Sequence, residues 1–188
     1  DIINLDNVTY LGSVNDDHVQ GNNNDDVILT KEGDDRVFGG AGNDIIDLGI
    51  GDDFVVGGSG NDILIGGDGE DIFAYFTGDE GTGTSPAIDH IGDFNTQEDS
   101  LDLRDLLQGE TTDTVEQYLN LTENSEEHAI LNISTNGNGV IDQQVVLDNL
   151  SIDDMASAYQ IDTSNMTENQ ISASVIDAML LQSKLVID

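Results

Sequence analysis

One carboxylate recurs at a fixed interval through the first part of the sequence. Between residues 12 and 74 every ninth residue is an aspartate: Asp17, Asp26, Asp35, Asp44, Asp53, Asp62 and Asp71. Glycines precede most of them, as in GGAGND (39–44), and let the backbone adopt positive φ so that its carbonyls turn toward a common point. Hard oxygen ligands without histidine or cysteine favour Ca²⁺, and the flexible geometry disfavours Mg²⁺.

The aspartates belong to a nine-residue repeat. Its units are GSVNDDHVQ (12–20), GNNNDDVIL (21–29), TKEGDDRVF (30–38), GGAGNDIID (39–47), LGIGDDFVV (48–56), GGSGNDILI (57–65) and GGDGEDIFA (66–74). Position six is the aspartate, and position eight is always apolar: Val19, Ile28, Val37, Ile46, Val55, Leu64 and Phe73. Each unit therefore predicts a polar turn and a three-residue strand.

One such strand cannot bury its apolar face alone, but two units form an 18-residue coil whose neighbours align the position-eight side chains. The sequence predicts a mainly β protein: a right-handed parallel β-roll over 12–83, preceded by a cap or partial repeat at 1–11. A smaller β-rich domain with short helices is predicted over 84–188.

The charge balance requires a cation. Among 188 residues, four Lys and Arg face 39 Asp and Glu, for a formal charge of −35 at pH 7, so the compact state must overcome strong self-repulsion. Nucleic acid and anionic membrane surfaces are excluded as partners because four basic residues cannot form a patch. The longest apolar runs are too short to span a bilayer, so membrane insertion is not expected. The chain is expected to be a monomer.

The repeat resembles the G-G-x-G-x-D-x-U-x pattern of RTX proteins, in which U is apolar. In that family each ion lies between turns one coil apart, bound by positions two, four and six of one turn and one, three and six of the next. The resemblance implies these ligand sets: Ser13, Asn15, Asp17 with Thr30, Glu32, Asp35; Asn22, Asn24, Asp26 with Gly39, Ala41, Asp44; Lys31, Gly33, Asp35 with Leu48, Ile50, Asp53; Gly40, Gly42, Asp44 with Gly57, Ser59, Asp62; and Gly49, Gly51, Asp53 with Gly66, Asp68, Asp71. Gly58 and Gly60 supply the same positions in the following turn.

About five calcium ions are expected in the roll, three between turns on one side and two on the other. The early units depart from the pattern, with Lys31 at position two, Leu48 at position one, and Asn15 and Asn24 at position four. Asparagine tolerates positive φ, whereas lysine and leucine tolerate it poorly, so the sites that bridge Asp17 to Asp35 and Asp35 to Asp53 are expected to be weaker.

The repeat register decays at 75–83, where the roll is predicted to end. Residues 88–107 alternate apolar and acidic side chains, which predicts an antiparallel strand pair. This stretch resembles the D-x-I-x-D-F segment that follows the repeats in type I secreted proteins. That resemblance implies that Asp89 joins Gly67, Gly69 and Asp71 in a last calcium site.

Further on, HAILNIST (128–135) and VIDQQVVL (140–147) flank the turn NGNG and predict a hairpin. Ser151 to Asp154 and Thr167 to Gln170 fit capping boxes, each before a helix. The second helix is predicted to place Ile171, Val175, Ala178, Met179 and Leu185 near one face.

The acidic repeats followed by such a tail resemble the carboxyl terminus of large RTX adhesins. The resemblance implies a secretion signal at about 160–188, read by a type I machinery of ABC exporter, adaptor and outer-membrane channel. The chain would stay unfolded in the cytosol of a Gram-negative bacterium and fold on Ca²⁺ outside the cell, at its surface.

Two alternatives stay open: the tail of a secreted RTX hydrolase, either a protease or a lipase, and a glycan- or ligand-binding module. Catalysis by this chain is not expected. His18, His90 and His128 lie in no H-E-x-x-H pattern, and Gly57 to Gly60 form a repeat turn rather than a nucleophile elbow.

Overall fold

The structure, a computed structural model, describes residues 2–4, 9–107 and 115–187. Its elements, in chain order, are β1 (Ile2–Asn4), β2 (Thr9–Leu11), β3 (His18–Gln20), β4 (Val27–Glu32), β5 (Arg36–Ala41), β6 (Ile45–Ile50), β7 (Phe54–Ser59), β8 (Ile63–Asp68), β9 (Ile72–Ala74), β10 (Ala87–Ile91), β11 (Ser100–Asp102), a 3₁₀ turn (Val115–Gln117), β12 (Leu119–Glu123), β13 (Ala129–Ile133), β14 (Gln143–Leu147), α1 (Ile152–Ala158), α2 (Glu168–Leu181) and β15 (Leu185–Val186).

Successive strands of the repeat region alternate between two sheets. The seven-stranded sheet has the order β1-β3-β5-β7-β9-β11-β15, and the eight-stranded sheet has the order β12-β13-β14-β10-β8-β6-β4-β2. Neighbouring repeat strands are parallel and pair residues 18 positions apart, such as Val37 with Val55. The predicted β-roll is therefore confirmed, with two units in each coil.

The position-eight side chains point inward from both sheets and form the core of the roll. All seven are buried, and the largest, Phe73, is 0% exposed. The strands are longer than the predicted three residues: β4 to β8 each contain six, from position seven of one unit to position three of the next. Parallel pairing therefore continues into the turns and holds them in register.

The sheets continue beyond position 83. Strand β10 pairs in parallel with β8, and β11 pairs in parallel with β9. The prediction that 88–107 contains an antiparallel strand pair is therefore wrong. The two segments lie in different sheets because each repeats the spacing of a repeat unit, with an aspartate two residues before a buried apolar residue.

The predicted hairpin is confirmed, since β13 and β14 pair antiparallel from Ala129↔Leu147 to Ile133↔Gln143. It forms no sheet of its own, because β14 pairs in parallel with β10 and extends the eight-stranded sheet of the roll. Strand β12, which the sequence did not indicate, pairs antiparallel with β13 at the end of that sheet.

Both predicted capping boxes are present. The side chain of Ser151 caps α1 together with Asp154, and that of Thr167 caps α2 together with Gln170. The placement of Leu185 on the second helix is wrong, because α2 ends at Leu181. Leu185 instead begins β15, which pairs in parallel with β11 and adds the last strand to the seven-stranded sheet. No helix in the described ranges is long and apolar enough to cross a membrane.

Candidate metal centre

The repeat aspartates form two stacked rows, one in each set of turns. The first ladder consists of Asp26, Asp44, Asp62 and Asp89, and the second of Asp17, Asp35, Asp53, Asp71 and Asp99. Within each ladder the backbone N–H of one aspartate donates to Oδ1 of the aspartate one coil later, at distances from 2.6 to 3.1 Å. Each carboxylate is thereby fixed between two coils.

The second oxygen of the interior aspartates has no partner in the part of the chain that the structure describes. Among the described residues, Oδ2 of Asp35, Asp44, Asp53, Asp62 and Asp71 is buried and accepts no hydrogen bond. An unsatisfied buried polar group costs about 1–3 kcal/mol, and more when it is charged. Five such oxygens in register fit a bound cation, which would supply the missing charge and coordination.

The end turns differ from the interior ones. Oδ2 of Asp17, Asp26 and Asp99 accepts a hydrogen bond from a backbone N–H in its own turn, donated by Ser13, Asn22 and Asn95 respectively. The three ends are thus satisfied by the protein itself. The requirement for a cation lies in the interior of the ladders.

The buried carboxylates are poor acids in the absence of metal. Burial, followed by repulsion from Asp44, raises the pKa of Asp62 to about 7. Burial, followed by repulsion from Asp99 and Asp53, raises the pKa of Asp71 to about 7. The pKa of Asp44 and that of Asp53 rise to about 6 for the same reasons. A divalent cation would lower these values and compete with protons for the same oxygens.

Glycine is required where one coil approaches the carbonyls of the next. Gly58 and Gly60 have φ of +103° and +141°, and a Cβ on them would lie 2.0 Å from the carbonyl oxygen of Gly40 and 1.8 Å from that of Gly42. From the other side, the oxygen of Gly57 would lie 2.4 Å from a Cβ on Gly39. Carbonyls at positions two and four of the earlier turn and position one of the later turn therefore face the same gap, beside Asp62.

The same arrangement repeats through the predicted ligand sets. Strand register stacks Gly49 on Gly67 and Ile50 on Asp68, as it stacks Lys31 on Gly49 and Glu32 on Ile50. Carbonyls at position three of the later turn, such as Ser59, accept a hydrogen bond from the position-four N–H of the earlier turn. The structure thus brings each predicted pair of turns together. Metal binding by the individual residues stays a prediction.

Three expectations about the turns need correction. Position one does not require positive φ, because Gly39 and its equivalents keep negative or extended values; Leu48 fits there, with its side chain in the core. Asn15 and Asn24 do not use positive φ. Lys31 does, at +91°, and its Nζ donates to the carbonyl of Gly12 at 2.6 Å, so an ammonium group already binds a turn carbonyl in the first coils.

Asp89 lies in a different ladder from the one predicted. We expected it beside Gly67, Gly69 and Asp71, but Asp62 N–H donates to Asp89 Oδ1 at 2.8 Å. The residue that follows Asp71 is Asp99, which accepts its N–H at 3.1 Å. The signal for Asp99 was the spacing Asp-x-Leu101, since Leu101 pairs with the position-eight residue Phe73. Sequence reasoning missed it because the turn before Asp99 contains no glycine.

Within the described part of the chain, no group of three or more His, Cys, Asp or Glu side chains could hold a metal ion. Each candidate site has backbone carbonyls and the ladder aspartates as its donors, which is a donor set for Ca²⁺ rather than for zinc or copper. The roll and its paired aspartate ladders define an RTX-type calcium-binding region.

Comparison with known proteins agrees with this class. The family model described as Peptidase M10 serralysin C terminal matches residues 12–155. The chain therefore belongs to the serralysin C-terminal family, which implies a secreted, calcium-binding protein. No curated protein is significantly similar to the sequence.

Two similar solved structures come from the mannuronan C5-epimerase of Azotobacter vinelandii. The AlgE6R2 subunit has 26% identity and a TM-score of 0.48, with 78% of this chain and 91% of that one covered. The AlgE6R3 subunit has 23% identity and a TM-score of 0.31, with 86% of this chain and 85% of that one covered.

Proposed function

We propose that this chain is a calcium-dependent folding and type I secretion module at the carboxyl end of a large extracellular adhesin. The observation that carries the proposal is a set of five buried aspartate oxygens that have no partner among the described residues, in a chain with a formal charge of −35. A folded roll without cations must bury those charges uncompensated, so folding awaits Ca²⁺. Extracellular modules bind Ca²⁺ with Kd of about 10⁻⁴ to 10⁻³ M, which the cytosol does not satisfy.

The secretion signal of the module is placed at about 160–188. In the folded chain this segment forms α2 and β15, and Leu185 and Val186 pair with β11 of the roll. An exporter could read it while the chain is still unfolded, and folding outside the cell would then bury it. Because metal binding supplies folding free energy, a translocated segment that binds Ca²⁺ could not return.

The proposed partners are the ABC exporter, adaptor and outer-membrane channel of a Gram-negative type I machinery, with the exported monomer held at the cell surface. Catalysis would belong to another part of the protein. The second candidate, the tail of a secreted RTX protease, is favoured by the family match to Peptidase M10. A sequence encoded before residue 1 with a zinc-protease motif would decide for it, and long adhesive repeats would decide for the adhesin.

Circular dichroism during a calcium titration tests the folding switch. We expect little strand signal in EDTA and a cooperative gain at about 10⁻⁴ to 10⁻³ M free Ca²⁺. Equal strand signal in EDTA and in calcium would refute it.

A reporter fused before residue 1 tests secretion: removal of 160–188 should abolish export by a type I machinery, whereas a chain with charge-neutral substitutions in the roll should still be exported.

A further inference from the structure

The first ladder ends differently from the other ladder ends. Asp89 lies on strand β10 rather than in a glycine turn, and no backbone N–H of the described residues donates to its Oδ2. Instead Gln143, on β14, donates from Nε2 to Asp89 Oδ2 at 2.8 Å. The donor therefore comes from the hairpin formed by β13 and β14, which lies 54 residues further along the chain.

Three polar atoms around this pair have no partner among the described residues: Asp62 Oδ2, Gln143 Oε1 and the hydroxyl of Tyr75. All are in buried side chains, with Asp62 0%, Gln143 1% and Tyr75 4% exposed. Burial, then the charges of Asp89, Asp62 and Asp79, raises the pKa of Tyr75. Two of these unpaired oxygens, Asp62 Oδ2 and Gln143 Oε1, thus belong to residues that hydrogen-bond to Asp89 at the end of the ladder.

The atoms present are acceptors in excess of donors. Asp62 contributes an unpaired carboxylate oxygen, Gln143 an unpaired amide oxygen, and Asp89 a carboxylate with one hydrogen bond to each oxygen. The Gln143 amide can present either its oxygen or its nitrogen to Asp89 by rotation about its last bond. A hard cation would satisfy all three oxygens, and carboxylate and amide oxygens are ligands that Ca²⁺ takes in proteins.

We propose that Asp62, Asp89 and Gln143 form a Ca²⁺ site that closes the first ladder and attaches the carboxyl-terminal hairpin to the roll. The inference rests on the proposed function, because it extends the calcium ladder beyond the repeats. The hairpin would then order only when the roll has bound calcium, although it carries no repeat sequence.

Two substitutions at Gln143 separate a metal ligand from a simple hydrogen-bond donor. Gln143→Met keeps the volume and removes both amide atoms, so it should lower the number of Ca²⁺ ions bound per chain by one in native mass spectrometry. Gln143→Glu supplies an anionic oxygen, so it should retain the ion. In EDTA with a stabilising osmolyte, which brings the metal-free chain into its folding transition, it should destabilise the chain because it then faces Asp89 without a cation.

The neighbouring Gln144 provides matched controls. Its side chain points to the other face of the sheet, where Nε2 donates to Asn132 Oδ1 at 2.6 Å. Gln144→Met and Gln144→Glu should leave the ion count unchanged. Hydrogen exchange at Leu131 and Val145 should become independent of calcium in Gln143→Met and stay calcium-dependent in Gln144→Met.

The outcomes are distinguishable from those that test the folding switch. If the unmodified chain binds no calcium, the proposed function fails. If the unmodified chain and Gln143→Met bind the same number of ions, with the same calcium-dependent protection of the hairpin, the site is overturned and the ladder stands. Destabilisation of Gln143→Glu equally in calcium and in EDTA would also overturn it and assign Gln143 a structural hydrogen bond to Asp89.

Discussion

Replacement of Asp62 by asparagine should stabilise the chain without calcium and weaken calcium binding. The structure leaves Asp62 0% exposed, with a pKa of about 7 that results from burial and from repulsion by Asp44. An aspartate in the unfolded chain has a pKa of about 3.9. Because the pKa of Asp62 is higher in the folded chain than in the unfolded chain, the protonated carboxyl stabilises the fold at any pH below about 3.9. This stabilisation is lost as the pH rises through the folded pKa of about 7. At pH 8 the ionised group therefore opposes folding by at most about 4 kcal/mol.

Asparagine removes this cost and keeps an oxygen that can accept from Asp44 N–H. In calcium the same change removes a charged ligand. A unit charge pair at about 4 Å in an effective dielectric of 20 is worth about 4 kcal/mol, and 1.4 kcal/mol suffices for a tenfold change in affinity. We therefore expect the half-saturating calcium concentration to rise at least about tenfold, while the free energy of unfolding in EDTA rises.

The assay is circular dichroism at pH 8, with calcium titrations and with parallel measurements in EDTA and a stabilising osmolyte, which brings the metal-free chain into its folding transition. Asp68→Asn is the control, because Asp68 is exposed and the change removes the same charge while keeping the backbone carbonyl. The reasoning is refuted if Asp62→Asn has the calcium midpoint of Asp68→Asn, or if it unfolds the metal-free chain further.

A fall in pH should have opposite effects on folding with and without metal. In EDTA, strand signal should increase as the pH falls from 8 to 5.5, because the folded pKa values of Asp44, Asp62 and Asp89 are raised to about 6, 7 and 8. In limiting calcium, acidification over the same range should instead release the ions, and a metal-free chain that loses strand signal on acidification would contradict the sign. Gly58→Ala should lower stability in calcium by about 2–4 kcal/mol, measured by urea unfolding, because overlap with the Gly40 carbonyl, at about 1–3 kcal/mol, adds to the ~1 kcal/mol of unfavourable φ. Gly78 has φ of +105° with open space around it, so Gly78→Ala should show only the cost of the unfavourable φ. Equal losses of stability in the two variants would refute the close approach of coils at Gly58. Leu48→Ala should cost about 2–5 kcal/mol because the side chain is fully buried, yet leave the number of bound ions unchanged; loss of an ion would show that position one matters to the site.

The roll could be predicted from the sequence because two periodic patterns in it agree. An aspartate at position six and an apolar residue at position eight recur together, so turn chemistry and core packing indicate the same coil. The pattern also predicted the hairpin through Asn-Gly and both helix starts through their capping boxes. Each of these signals is local, with cause and consequence within a few residues of each other.

Contacts between segments that lie far apart in the sequence could not be predicted from such local signals. Asp89 was identified, but its ladder depends on whether the segment at 75–86 returns the chain to one sheet or the other, which no local spacing reveals. Gln143 meets Asp89 only because β14 pairs with β10, and Leu185 leaves the helix because β11 offers an unpaired edge. Asp99 could have been found by a search for an aspartate two residues before an apolar residue in turns that lack glycine.

Under the proposed function, the ladder ends explain why calcium would act on the whole chain rather than on single turns. Three ends are satisfied by backbone N–H groups, whereas the interior Oδ2 atoms lack partners within the described ranges and the fourth end depends on Gln143 from the hairpin. Strand β15 then pairs with β11, directly after Asp99. In that proposal, ion binding at the interior turns would fix the coils on which β10 and β11 pair, and those strands would in turn position the hairpin and the final strand. Under the proposed function, the secretion signal is therefore buried by the same calcium-dependent event that folds the repeats.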